Sequence, residues 1–290
     1  MTPTMPRSLL LCTDLDRTLI PNGAEPESPD ARPRFRRFVA GSDVTLVYVT
    51  GRHRALVETA IAEHDLPWPD YVIGDVGTSI QAVVIGADGT AIWNPLPGWT
   101  DELAQTWPGP VALQDLFADV SGLRRQEAAR QTPFKLSYDV TLDLDADDLL
   151  VRLRARLEQA GMRACLIWSI DEAAGIGLLD VLPEQAGKYQ AVRFLMRALG
   201  CDEGSTVFAG DSGNDLDVLT SSIPSVLVAN ASDPVREQAR RAVAMNGLTE
   251  RLYCALGGWQ GMNGHYSAGI LEGVAHFRPD LLDRLRPGDG

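Results

Sequence analysis

The 290-residue sequence is poor in cysteine and in aromatics, and it has no long apolar run and no excess of positive charge. Each shortage removes a class of protein. Cys12, Cys165, Cys201 and Cys254 lie far apart with no C-x-x-C pair, which argues against a disulfide framework or a zinc site and leaves buried free thiols. No apolar stretch approaches the roughly 18–20 residues of a membrane span. Leu9, Leu10 and Leu11 are too few for the apolar region of a signal peptide, so no membrane association and a cytoplasmic location are expected. With a net charge of −13 there is no basic cluster to collect backbone phosphates, and no nucleic-acid partner is expected. A phosphorylated small molecule stays allowed, because one metal ion and a few donors attract an anion locally.

What is present is an alternation of short apolar runs with helical patterns, the mark of βαβ units and a mainly parallel sheet. Strands are expected over 8–13, 44–49 and 71–73, with helices over about 29–40 and 53–63. The texture then changes. Residues 79–85 and 91–93 read as a hairpin around Ala87-Asp88-Gly89-Thr90. Residues 134–142 alternate as a strand, 145–160 form an amphipathic helix stopped by Gly161, and 164–168 and 176–182 are strands. A helix over 188–199, strands at 206–209 and 226–229 with a helix over 214–220 between them, and a last helix over 265–277 then resume the parallel pattern. The reading is a parallel-sheet core in two parts, 1–80 and 183–290, with an α+β insert over 81–182.

Four places carry chemistry. Thr13-Asp14-Leu15-Asp16-Arg17-Thr18-Leu19 follows the first strand, at the sheet edge where ligands bind in open α/β folds. Two carboxylates two residues apart point to one side of an extended chain, able to share a cation or to divide nucleophilic and acid–base work. Gly210-Asp211-Ser212-Gly213-Asn214-Asp215 repeats the arrangement after another buried strand, although Asp, Ser and Asn also serve as plain helix caps. Val49-Thr50-Gly51-Arg52 offers a hydroxyl and free N–H groups at a helix start, suited to phosphate. Lys188 opens a helix, against the dipole, where an ordinary solvated lysine or a catalytic one would both serve.

In this order, D-x-D-x-T, Thr, Lys, G-D-x-x-N-D, the chain resembles the haloacid dehalogenase superfamily. Its second acid, Asp16, points to the phosphatase branch, and the long insert resembles the class IIB cap. Further stretches are similar to sucrose-phosphate phosphatases: Pro69-Asp70-Tyr71 with Val76-Gly77-Thr78, Lys135-Leu136-Ser137-Tyr138, Asp180-Val181-Leu182-Pro183 with Ala186-Gly187-Lys188, Ser225–Asn230, and Ser267-Ala268-Gly269-Ile270 with His276-Phe277. Ser79 and Phe134 depart from that pattern, and residues 98–130 match nothing in it.

The resemblance implies a Rossmann-like core with a C2B-type cap and a Mg²⁺-dependent phosphatase. Asp14 is then the nucleophile and Asp16 the acid–base. Thr50, Gly51, Lys188 and Asn214 bind phosphate. Mg²⁺ is held by Asp14, the backbone carbonyl of Asp16, Asp211 and Asp215. Arg52, Lys135, Ser137 and Gln185 are candidates for sugar contacts. Sucrose 6-phosphate is the first expected substrate, with mannosylfructose phosphate, glucosylglycerol phosphate, mannosyl-3-phosphoglycerate and trehalose 6-phosphate as rivals. A phosphomutase and a non-catalytic phosphosugar-binding module are alternatives of other kinds. A monomer is expected, with sucrose-phosphate synthase as a macromolecular partner.

Overall fold

A computed structural model of the chain describes residues 8–41, 43–171 and 174–285. The outermost residues of both expected core segments lie outside that set. The chain opens with β1 (Leu9–Thr13), α1 (Ala31–Val39), β2 (Val44–Val49), α2 (Arg54–Glu63), β3 (Tyr71–Gly74), β4 (Ser79–Ile85) and β5 (Ala91–Pro95). It continues through α3 (Trp99–Ala104), α4 (Pro110–Leu116), β6 (Leu123–Arg125), β7 (Leu136–Val140), α5 (Ala146–Gln159), β8 (Cys165–Asp171) and β9 (Ile176–Leu182). The remainder is α6 (Lys188–Leu199), β10 (Thr206–Gly210), α7 (Leu216–Leu219), β11 (Ser225–Leu227), α8 (Asp233–Met245), β12 (Leu252–Cys254), α9 (Ser267–Phe277) and α10 (Leu282–Leu285).

Two sheets result. The larger has the order β12-β11-β10-β1-β2-β3-β4-β5, and the smaller β6-β7-β9-β8. From β12 across to β3 the pairing is parallel, while β3-β4-β5 and the whole smaller sheet are antiparallel. The hairpin expected to begin the insert therefore belongs to the larger sheet: Ile73 pairs with Ile80, and Val84 with Ile92. Residue 81 lies within β4, which pairs with β3 on one side and β5 on the other. The change from parallel to antiparallel pairing produced the change of texture, not a change of layer.

Burial on both faces explains the continuous apolar strands. Leu9 and Leu11 of β1 pack with Leu46, Tyr48 and Val207 against α1, α2 and α9. Leu10 and Cys12 pack on the opposite face with Val47, Val49 and Phe208 against α6 and α7. The smaller sheet has a core of its own, where Leu149, Leu150, Leu153 and Leu157 of α5 meet Leu136, Tyr138, Leu179 and Val181. Within the unmatched stretch 98–130, α3 sets Trp99 and Leu103 into the core beside α6, with the Trp99 and Phe194 rings 5.0 Å apart. No helix among the described residues is long and apolar enough to cross a membrane.

Candidate active site

The carboxyl ends of β1, β2 and β10, central neighbours in the larger sheet, deliver Asp14, Thr50 and Asp211 to one edge. The strand order reverses at β1, so this edge is a topological switch point. The Asp14 N–H is drawn to the Ala209 carbonyl at 2.9 Å and the Thr50 N–H to Ile73 at 2.8 Å, so each residue is an extension of its strand.

One oxygen from each of Asp14, Asp211 and Asp215 lies within 4.8 Å of the others, all three residues being buried. Lys188 reaches into the same place from the first position of α6. Its Nζ donates to Asp14 Oδ1 at 2.8 Å, Asp215 Oδ1 at 2.7 Å and Asn214 Oδ1 at 3.1 Å. Its side chain is 1% exposed, so the helix-opening lysine is not a solvated one. The second Asp215 oxygen accepts the N–H groups of Asp211 and Ser212 at 3.1 and 3.2 Å. This approach requires glycine at 210, where a Cβ would lie 2.6 Å from Asp215 Cγ. Thr18 donates to one oxygen of Asp211 at 3.3 Å, and Arg17 Nε stands 3.4 Å from the other.

The electrostatics follow from this crowding. Burial raises the Asp14 carboxyl most; Lys188 lowers it, but Asp215, Asp211 and Asp16 raise it again, leaving it well above the carboxylate range. Asp211 is pushed up to about 7, chiefly by burial and then by Asp215, against Arg17, Lys188 and Thr18. At Lys188 burial favours the neutral amine, but Asp14 and Asp215 outweigh it and hold the ammonium. Three buried acids thus share less positive charge than they need. An all-oxygen donor set with that deficit suits a hard divalent cation.

Asp16 is different. Its carboxylate is outside the acid cluster and sits in the fork of Arg52, with Nε at 2.9 Å and Nη2 at 2.6 Å, and accepts from Asn22 at 2.9 Å. Burial would raise it, but the Arg52 hydrogen bonds and charge and the Asn22 amide bring it below the ordinary range. Arg52 is accordingly engaged on Asp16. Its own N–H donates to the Thr50 hydroxyl at 3.1 Å, while Gly51 is exposed.

Of the sugar-contact candidates, Arg52 is at this edge on Asp16, and Lys135 pairs with the turn after β3. Its Nζ lies 3.2 Å from Asp75 Oδ1, both side chains largely buried, so the smaller sheet is tied to the turn after β3. That turn leads to Gly77, where a Cβ would lie 2.4 Å from the carbonyl oxygen of Gly187, the residue before Lys188. Ser137 and Gln185 do not join the acid cluster. Ser137 donates to Asp180 on the neighbouring strand, and Gln185 accepts from Thr106 at 2.7 Å. Sequence reasoning passed over Arg17, Thr18 and Asp75. Thr18 is the threonine of the D-x-D-x-T pattern, and Asp75 falls between two of the quoted stretches, so both stood next to legible signals.

A family model described as sucrose-6F-phosphate phosphohydrolase matches residues 7–278. The chain belongs to that family. It is a phosphatase of the haloacid dehalogenase superfamily. A protein of Nitrosococcus oceani described as a putative HAD-like hydrolase is 48% identical over 286 residues, 98% of this chain and 76% of that one. A probable sucrose-phosphatase of Arabidopsis thaliana is 29% identical, matching 98% of this chain and only 66% of its own length. Among solved structures, the sucrose-phosphatase of Synechocystis in complex with sucrose and phosphate superposes with a TM-score of 0.75 at 26% identity, covering 93% of this chain and 98% of that one.

Proposed function

We propose that this phosphatase hydrolyses sucrose 6-phosphate to sucrose and phosphate through an aspartyl-phosphate on Asp14, with Mg²⁺ bound by Asp14, Asp211 and Asp215. The observation that carries this reading is the Lys188 ammonium gripping Asp14 beside two further buried acids. An oxygen of Asp14 attacks phosphorus in line, and the bond from phosphorus to the sugar oxygen breaks. Asp16 gives that oxygen a proton. Water then attacks the aspartyl-phosphate, Asp16 takes its proton, and the bond to Asp14 breaks to release phosphate. Lys188, Thr50 and Asn214 orient the phosphoryl oxygens and spread their charge, which is most of what phosphoryl transfer asks of a protein. A bound Mg²⁺ supplies further neutralisation of the phosphoryl group.

Arg52 favours ionised Asp16, the state that the second step uses. Proton delivery in the first step requires the guanidinium to release it, and an arriving anion is a suitable competitor. Lys135, held at the rim by Asp75, is the side chain of the smaller sheet best placed to meet the sugar.

The test is phosphate release from sucrose 6-phosphate and from p-nitrophenyl phosphate. Asp14→Asn should abolish both, and retention of more than about a hundredth of native turnover would remove the nucleophilic role. EDTA should silence the enzyme and Mg²⁺ restore it. A panel containing mannosylfructose phosphate, glucosylglycerol phosphate, mannosyl-3-phosphoglycerate and trehalose 6-phosphate tests the sugar, and the highest kcat/KM should fall on sucrose 6-phosphate. Stoichiometric phosphate release without a bisphosphate activator separates hydrolysis from mutase chemistry.

A further inference from the structure

We infer that Asn230 is a positioning residue for this reaction, holding the left-handed turn at Arg17 that sends neighbouring side chains to Asp211 and Asp16 to Arg52. The inference rests on the reading of Asp14 and Asp16 as the reacting pair.

Asn230 follows β11 and is 5% exposed. Its Nδ2 donates to the Arg17 carbonyl at 2.6 Å, and its Oδ1 accepts the Tyr266 N–H at 3.0 Å. Both partners carry a Cβ and both have positive φ, 57° at Arg17 and 51° at Tyr266, the latter with ψ −128°. Such conformations persist only where the surroundings over-determine them. At Arg17 two asparagines grip the backbone. Asn22 accepts the Arg17 N–H at 2.8 Å and also donates to Asp16, while Asn230 holds the carbonyl from 213 residues away. The Leu15 carbonyl closes the turn, taking the N–H groups of Thr18, Leu19 and Ile20 at 3.3, 3.0 and 2.7 Å.

The turn has a consequence for the site. In an extended chain, successive side chains point to opposite sides. Here Arg17 and Thr18, adjacent in sequence, reach the two oxygens of one carboxylate, Asp211, while Asp16 is directed to Arg52. The left-handed residue sits inside the turn from which the two side chains converge. Removing the Asn230 donor takes that hydrogen bond from the Arg17 carbonyl and lets the turn relax to negative φ, which swings Asp16 and takes Arg17 and Thr18 off Asp211.

A merely structural Asn230 would serve the Tyr266 loop alone, and a double-mutant cycle on the whole chain separates the two roles. Asn230→Asp keeps an acceptor for Tyr266 but replaces the donor facing Arg17 with an oxygen. With Mg²⁺ and sucrose 6-phosphate, it should lower kcat roughly tenfold to a hundredfold, change KM less than about threefold, and raise the Mg²⁺ concentration for half-activity. Arg17→Gly loses its own contact with Asp211 and is slower by itself, yet glycine takes positive φ unaided. Adding Asn230→Asp to Arg17→Gly should therefore cost less than about a third of the factor that it costs in the native chain. Equal losses in both backgrounds, or a native kcat with only a lowered Tm, would overturn the inference. Should Asn230→Asp not fold, Asn230→Ser in the same cycle decides by the same criterion. Turnover retained by Asp14→Asn removes the underlying reaction scheme, a result distinct from any outcome at Asn230.

Discussion

At the scale of single residues, the site depends on close approaches with no slack. Gly210→Ala puts a methyl group 2.6 Å from Asp215 Cγ, and that carboxylate also accepts Lys188 and two N–H groups. The variant should lose at least about tenfold in kcat, with a higher Mg²⁺ requirement, because the clash displaces an acid from the cluster. Phosphate release across a Mg²⁺ titration checks it. Lys188→Met should lose more, about a hundredfold or beyond, since it removes the ammonium that lets two anions meet and leaves Asp14 and Asp215 buried without their partner. A variant that kept native turnover would show that Lys188 only balances charge in the fold.

At the scale of elements, α6 is the part that joins fold to chemistry. Its first residue is the lysine that grips Asp14 and Asp215, and its flank carries the Trp99–Phe194 contact with α3. Trp99→Ala should destabilise the chain by about 3–5 kcal/mol, as for other large buried aromatics. Residual activity measured well below the new Tm should keep a native KM, because Trp99 touches none of the site groups described. Gly77→Ala should behave in the opposite way. Its Cβ would strike the Gly187 backbone at 2.4 Å in a turn with φ 90°, so the start of α6 must shift. Activity should fall further than the melting temperature suggests, and the two variants side by side test that division.

At the scale of the whole molecule, a buried acid cluster works against the fold, and a bound cation would relieve it. Burial holds the Asp14 carboxyl well above its ordinary range and pushes Asp211 up to about 7. Binding Mg²⁺ at about a hundred times its Kd should add roughly 2.7 kcal/mol of stability and raise Tm by about 5 °C. Thermal melts in Mg²⁺ and in EDTA measure this, and an unchanged Tm would argue against a metal in the cluster. The same increment should vanish in a variant in which Asp211 and Asp215 are both replaced by asparagine.

The sequence by itself determined the parallel core, because strands buried on both faces must be continuously apolar and helices with one wet side must repeat every three to four residues. It also put the D-x-D-x-T and G-D-x-x-N-D groups after strands, at a sheet edge, and Lys188 at a helix start; plain caps and a solvated lysine fitted there as well, and it was the order of the motifs that carried the resemblance. The tertiary structure decided whatever depends on partners far apart in the chain. It assigned the 79–95 hairpin to the larger sheet, because pairing and not texture defines a sheet. It turned Asp16 to Arg52, gave Ser137 and Gln185 to partners inside the fold, and brought Asp75 to Lys135 and Asn230 to Arg17. A hydrogen bond across 213 residues leaves no mark in local pattern; it exists only once the sheet brings the ends of β1 and β11, on either side of β10, to one edge.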